Sequence, residues 1–233
     1  MAVFVLVPGA YAGSWMWREV ARSLWAARHE AYTPSLTGLG EKAHLAQPDI
    51  DLSTHITDVV AEITYSDLTN VYLVGYSLGG MVATGVAEQI PERIACLVYL
   101  DALVPKDGES AADLFGPDAT EMIIQAVDAF GDGWKILSAD ADKYPKFTPQ
   151  PLKTGLEKVS LKNPLAAKLP RAFIYCPLDK TGEEPTHINI EKTANEVKDD
   201  PAWRYFEIQA DHFVVFEEPQ KVTEVLLELV MED

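Results

Sequence analysis

The chain has 233 residues, 48% of them hydrophobic, with 19 lysines and arginines against 36 aspartates and glutamates and a formal charge of −17. That length and apolar content suit one α/β domain, 1–233, with room for an insertion. The acidic excess speaks against nucleic acid or an anionic membrane surface as a partner, since both need clustered positive charge.

Residues 3–7 are an apolar run that reads as the first strand, ended by Pro8-Gly9-Ala10. No charged region and apolar core of a leader precede it, so no signal peptide is expected. No apolar run approaches the length of a membrane span. A helix is predicted over about 14–27, with Ser14 as its N-cap. A short strand at 31–33 leads into Pro34-Ser35-Leu36-Thr37-Gly38-Leu39-Gly40, rich in turn formers and read as a loop. A helix follows to about Tyr65, with Ile56, Val59, Val60 and Ile63 on one face. Residues 71–74 form the third strand, a helix ends before Pro91, and 94–100 is the fourth strand.

The rhythm then breaks. Residues 105–165 hold no strong strand, only short helical pieces and many Pro, Gly and Asp. They carry too many large apolar groups for disorder, Leu114, Phe115, Met122, Ile123, Phe130 and Trp134 among them. This reads as a small helical cap inserted after the fourth strand, leaving a core of 1–104 and 166–233. Trp134, Phe115 and Phe130 either line a pocket beneath it or pack within it. Strands resume at 171–176 and 203–208, with helices near 185–197 and 219–231. Alternating strands and helices imply a doubly wound, mostly parallel α/β sheet of about six strands with helices on both faces. Cys96 and Cys176 fall inside strands and read as buried free thiols of a reducing, cytoplasmic setting, with a disulfide as the alternative.

The stretch Val71-Tyr72-Leu73-Val74-Gly75-Tyr76-Ser77-Leu78-Gly79-Gly80 carries the chemistry. It places G-x-S-x-G between a strand and a helix, the setting of a nucleophile elbow, with the Ser77 hydroxyl raised at the sheet edge. A serine needs an imidazole to take its proton. His212 follows the last strand and is the expected base, while His29, His44, His55 and His187 read as surface or loop histidines. Asp179, three residues past the fifth strand, is the preferred acid, because nucleophile, acid and base then follow in chain order from late strands. Asp101, at the end of the fourth strand, competes with it; its other reading is a turn residue bonding local amides. The amides of Ala10 and Leu78 are the expected oxyanion donors, with Gly9 and Gly13 letting that backbone come close. Gly9, Tyr11, Trp134 and Phe213 are candidate substrate-lining residues. The sequence has no H-E-x-x-H, no Cys/His cluster and no phosphate-cradling G-x-G-x-x-G, so neither metal nor cofactor is expected.

Val5-Leu6-Val7-Pro8-Gly9-Ala10-Tyr11-Ala12-Gly13-Ser14-Trp15-Met16-Trp17, Leu36-Thr37-Gly38-Leu39-Gly40-Glu41, the elbow itself and Tyr99-Leu100-Asp101-Ala102 together resemble the small α/β-hydrolases. The nearest branch holds bacterial carboxylesterases, plant methylesterases and hydroxynitrile lyases. The resemblance implies Ser77 as nucleophile, Asp179 as acid, His212 as base, and Ala10 and Leu78 as oxyanion amides. Two departures stand out. Pro8 replaces a histidine usual in the family, and Gly9 and Phe213 replace the threonine and lysine of the lyase members, which argues against lyase chemistry.

The expected activity is hydrolysis of carboxylic esters through an acyl-enzyme. The expected partner is a small to medium, largely apolar or aromatic ester, judged from the cap composition. Lactone, amide or carbon–carbon bond hydrolysis at the same site stays open, as does a binding protein with negligible turnover.

Overall fold

The apolar runs pair into one parallel sheet. The computed structural model describes residues 1–178 and 185–231. Its strands are β1 (Val3–Val7), β2 (Glu30–Tyr32), β3 (Val71–Tyr76), β4 (Ile94–Leu100), β7 (Arg171–Tyr175) and β8 (Trp203–Glu207) in the main sheet, and β5 (Lys135–Ile136) and β6 (Gln150–Pro151) in a separate antiparallel pair. The main sheet runs β2-β1-β3-β4-β7-β8 with every pairing parallel.

Successive side chains on a strand point to opposite faces. Phe4 and Leu6, Tyr72 and Val74, Val98 and Leu100 enter one core; Val5 and Val7, Leu73, Leu97 and Tyr99 enter the other. On the first face lie α1 (Arg18–Ala26), the short α8 (Val214–Glu217) and α9 (Pro219–Met231). On the second lie α2 (Leu52–Tyr65), α3 (Gly79–Gln89) and α7 (Pro185–Val197). Cover on both faces is why the strands read as unbroken apolar runs.

Between β4 and β7 the chain leaves the sheet. It forms α4 (Ala111–Phe115), α5 (Pro117–Phe130), β5, β6 and α6 (Lys153–Leu156). The two-residue strands of this excursion were not expected, since two residues are too few to show an alternating pattern. Cys96 and Cys176 are both buried and are not joined by a disulfide. No described helix is long and apolar enough to cross a membrane.

The strand order reverses beside β1, whose neighbours are β2 on one side and β3 on the other. Parallel sheets bind ligands outside the carboxyl ends of their strands at such a switch point. The register keeps those ends level: Val7 pairs with Gly75, Tyr76 with Leu100, and Leu100 with Ile174. Residues after β1, β3 and β4 therefore emerge side by side.

The helix expected over 14–27 begins as a 3-10 turn, Ser14–Trp17, and only then becomes α1. Ser14 is not its N-cap; Gly13 holds that position without a side-chain bond. Instead the Glu41 carboxylate accepts from the Ser14 N–H at 3.1 Å, the Ser14 hydroxyl at 2.9 Å, the Trp15 N–H at 3.0 Å and the Ser35 hydroxyl at 2.8 Å. One side chain thus joins the loops that follow β1 and β2. Gly13 leaves it room, since a Cβ there would lie 2.2 Å from a Glu41 oxygen.

Two outcomes follow from this packing. A Cβ on Gly80 would sit 2.2 Å from the Leu103 carbonyl, whereas one on Gly85 would meet the tip of Ile56, also at 2.2 Å. Backbone cannot yield as a side-chain tip can, so Gly80→Ala should destabilise by about 1–3 kcal/mol in urea unfolding. Gly85→Ala should cost clearly less, offset by the roughly 1 kcal/mol of helix propensity that alanine adds. Equal losses would mean that the Leu103 carbonyl is no harder an obstacle than the Ile56 tip. For Glu41, burial alone would raise the carboxyl, but bonds from its own amide, Ser35, Ser14 and Trp15 outweigh burial and hold it below its ordinary 4.5. Its contribution is therefore complete above the unfolded value and lost as pH falls through the folded one. Glu41→Gln should lower Tm at neutral pH, with the gap to wild type closing as pH drops below about 4.5. A pH-independent gap would mean that the charge is not what joins the loops.

Candidate active site

β3 ends at Tyr76 and α3 begins at Gly79, so the chain reverses through Ser77 and Leu78. Ser77 has a left-handed φ of 53°. Such a backbone costs a non-glycine residue about 1–3 kcal/mol and persists only where its surroundings hold it. Here the Ser77 N–H donates to the Leu100 carbonyl at 3.3 Å, and its own carbonyl accepts from Gly80 and Leu103, each at 3.1 Å. The flanking glycines serve close approach. A Cβ on Gly75 would lie 2.6 Å from the Gly79 carbonyl, and one on Gly79 would lie 2.6 Å from the Pro8 carbonyl.

The loop after β8 brings His212 to this turn. Its Nε2 is 2.9 Å from Ser77 Oγ, and its Nδ1 is 2.6 Å from Asp101 Oδ2. Asp101 is fully buried, and its other oxygen accepts the Cys176 N–H at 3.0 Å. A carboxylate only accepts, so Nδ1 carries the proton and Nε2 is left to receive one from Ser77. Tyr76 braces the imidazole. Its ring stacks on that of His212 at 5.2 Å, and its hydroxyl donates to the His212 carbonyl. Burial first, then nearby negative charge led by Asp101, pushes the Tyr76 phenol well above its ordinary value, so it stays a donor.

Asp179, the expected acid, lies outside the described residues. The carboxylate on Nδ1 is Asp101, the competitor. Its bonds run to residues 75 and 111 positions away, so it is not the locally bonded turn residue of its alternative reading. Ala10 and Leu78 flank the Ser77 hydroxyl's cavity, and no described residue accepts a hydrogen bond from either backbone N–H. One of these two N–H groups stands at the start of α3, where the helix favours a negative partner.

The cavity above Ser77 has a volume of about 480 Å³. Tyr11 and Phe213 line it, and so does Phe115. Gly9 does not; it packs under the turn, where a Cβ would come within 2.9 Å of the Tyr76 ring. Trp134 does not either, and carries the Lys135 ammonium 4.9 Å from its ring centroid. Phe130 is largely exposed. Sequence reasoning missed Phe147, Phe216, Asp140, Gln150 and His187. His187, read as a surface residue, stands in the first turn of α7 with its ring 5.2 Å from that of His212. His55, also read as surface or loop, is buried in α2 with Nε2 2.9 Å from the Thr37 carbonyl, and burial lowers its pKa. Among the described residues, no group of three or more His, Cys, Asp or Glu is placed to hold a metal.

Residues 4–225 match the alpha/beta hydrolase family. The carbendazim hydrolyzing esterase of a Nocardioides species is 51% identical over 110 residues, which are 47% of this chain and 46% of that protein. The chain thus spans about half the length of that relative in the matched region. Methylesterase 1 of Arabidopsis thaliana is 26% identical over 266 residues, covering 97% of this chain and 95% of that one. Among solved structures, an extracellular alpha/beta-hydrolase from a Paenibacillus species superposes with a TM-score of 0.80 at 26% identity, covering 98% of each chain. With a serine turn at the switch point of its sheet and a match that runs from the first strand into the last helix, the chain belongs to the alpha/beta hydrolase family.

Proposed function

We propose that this protein is a serine hydrolase of carboxylic esters, with Ser77 as nucleophile, His212 as base and Asp101 as acid. The observation that carries the reading is the hydrogen-bonded line Ser77–His212–Asp101, at 2.9 and 2.6 Å, beside two backbone amides with no described acceptor. That two relatives bear the names esterase and methylesterase supports the same chemistry.

In this mechanism Ser77 Oγ attacks the ester carbonyl carbon as His212 Nε2 takes its proton. The amides of Ala10 and Leu78 receive the negative oxygen of the tetrahedral intermediate. The carbonyl re-forms as the alcohol leaves with the proton from Nε2. A water then gives a proton to Nε2 and adds to the acyl-enzyme, and Ser77 departs with that proton as the acid is released. Asp101 holds the imidazole in the tautomer that makes each transfer possible. It also steadies the imidazolium while it lasts.

The cavity walls favour neutral aromatic esters. Tyr11, Phe147, Phe213 and Phe216 supply flat apolar surface, and no described lysine or arginine lines the space. Asp140 also faces it; burial first, and then the Asp140 charge, pushes the Tyr11 phenol up to about 12. A substrate carboxylate would meet repulsion there and no compensating cation among the described residues.

A fluorophosphonate probe should label the wild type once, at Ser77, and leave Ser77→Ala unlabelled. With an aryl acetate, Asp101→Asn should lose about 10⁴ in kcat through the wrong imidazole tautomer, while Asp179→Asn loses far less. The reverse order would move the acid to Asp179. Adding a free carboxylate to the aryl group should raise KM for the wild type and less so for Asp140→Asn. Equal KM values in the wild type would remove the argument for neutral substrates.

A further inference from the structure

The excursion between β4 and β7 does more than cover the cavity, because part of it grips the loop that follows β1. Tyr11, next to Ala10, has a left-handed φ of 64°. Its N–H donates to Gln150 Oε1 at 3.0 Å. Its carbonyl accepts from the Thr148 N–H at 2.9 Å and from the Thr148 hydroxyl at 3.2 Å. The same hydroxyl accepts the Gly40 N–H at 3.0 Å.

A backbone N–H can only donate, so the oxygen end of the Gln150 amide must face Tyr11. The nitrogen end then donates to Thr154 Oγ1 at 2.8 Å, and that hydroxyl donates to the Pro151 carbonyl at 2.6 Å. Gln150 is 2% exposed and Thr154 1%. Every link has one donor and one acceptor, and both side chains are buried. A buried network satisfied in this way holds its members to one arrangement.

We infer that Gln150, seconded by Thr148, is a positioning residue for the Ala10 oxyanion amide. The inference rests on the hydrolase reading above. Tyr11 would relax toward an unstrained backbone if its peptide groups were released. Gln150 fixes the Ala10–Tyr11 peptide and engages the Tyr11 N–H, so the Ala10 N–H is the amide left to meet a developing negative oxygen. Preorganised donors of this kind act mainly on the transition state, so their aim affects kcat before it affects substrate binding.

The test uses the full-length protein, an aryl acetate and an aryl trifluoromethyl ketone. Ser77 Oγ adds to the ketone carbonyl, its proton passes to His212, and the resulting oxyanion needs the same amides. Gln150→Met keeps the side-chain volume and removes the acceptor. It should lower kcat about tenfold or more with KM within about threefold of wild type. Affinity for the ketone should fall by the same factor as kcat/KM, while Ser77 still reacts with a fluorophosphonate. A merely structural brace would not move ketone affinity in step with kcat/KM. Should Gln150→Met not fold, Thr148→Val carries the test, with a smaller parallel loss that Thr148→Ser restores. Ketone affinity within about twofold of wild type, in a variant that Ser77 labelling shows intact, overturns this inference alone. No labelling of the wild type would overturn the hydrolase reading and this inference with it.

Discussion

One buried carboxylate ties the sheet to the site. Asp101 lies at the end of β4 with no exposed surface, yet it bonds the backbone after β7 and the imidazole after β8. Its own N–H donates to Ile174 in β7 at 2.7 Å. An ionised group in that position carries a desolvation penalty of several kcal/mol unless its partners are well placed. The strand ends must therefore stay level for the charge to be tolerated. Sheet register and imidazole placement are in this sense one constraint.

Backbone strain gathers at the same edge. Ser77, Tyr11 and Asp101 are non-glycine residues with φ of 53°, 64° and 43°. They follow β3, β1 and β4, three adjacent strands. Each is held by bonds to a different element: Ser77 by β4 and the residues after it, Tyr11 by the excursion, Asp101 by β7. Glycine would adopt these angles more easily, but it could carry neither the hydroxyl nor the carboxylate. The favourable packing of two apolar cores, one on each face of the sheet, is what offsets this local expense.

The sheet was legible in the sequence because strands covered on both faces are apolar throughout, and β4 and α7 fell on their expected residues. Ser77 and His212 were legible because a turn motif and a strand end mark them. Asp179 was ranked above Asp101 on chain order alone, although both follow strands that lie between the serine strand and the histidine loop. A register argument would have helped: Leu100 pairs with Tyr76, so Asp101 must emerge level with Ser77. His55 was misjudged because burial is decided by what packs over a helix, which local sequence does not encode. Gln150 carried no signal at all, being one polar residue in a polar stretch whose partner is 139 positions away.

The excursion has a further bearing on how such a protein can diversify. Phe115, Ile123, Ile136 and Phe147 shape the room a ligand occupies, and the same segment carries Thr148 and Gln150, which touch the Tyr11 peptide. Residues 115–136 reach the cavity without a hydrogen bond to the Tyr11 peptide, whereas 147–150 both line the cavity and bond that peptide. On the proposed reaction, selectivity and speed reside on neighbouring stretches of a single tether, and swapping that tether whole between homologues would trade both at once.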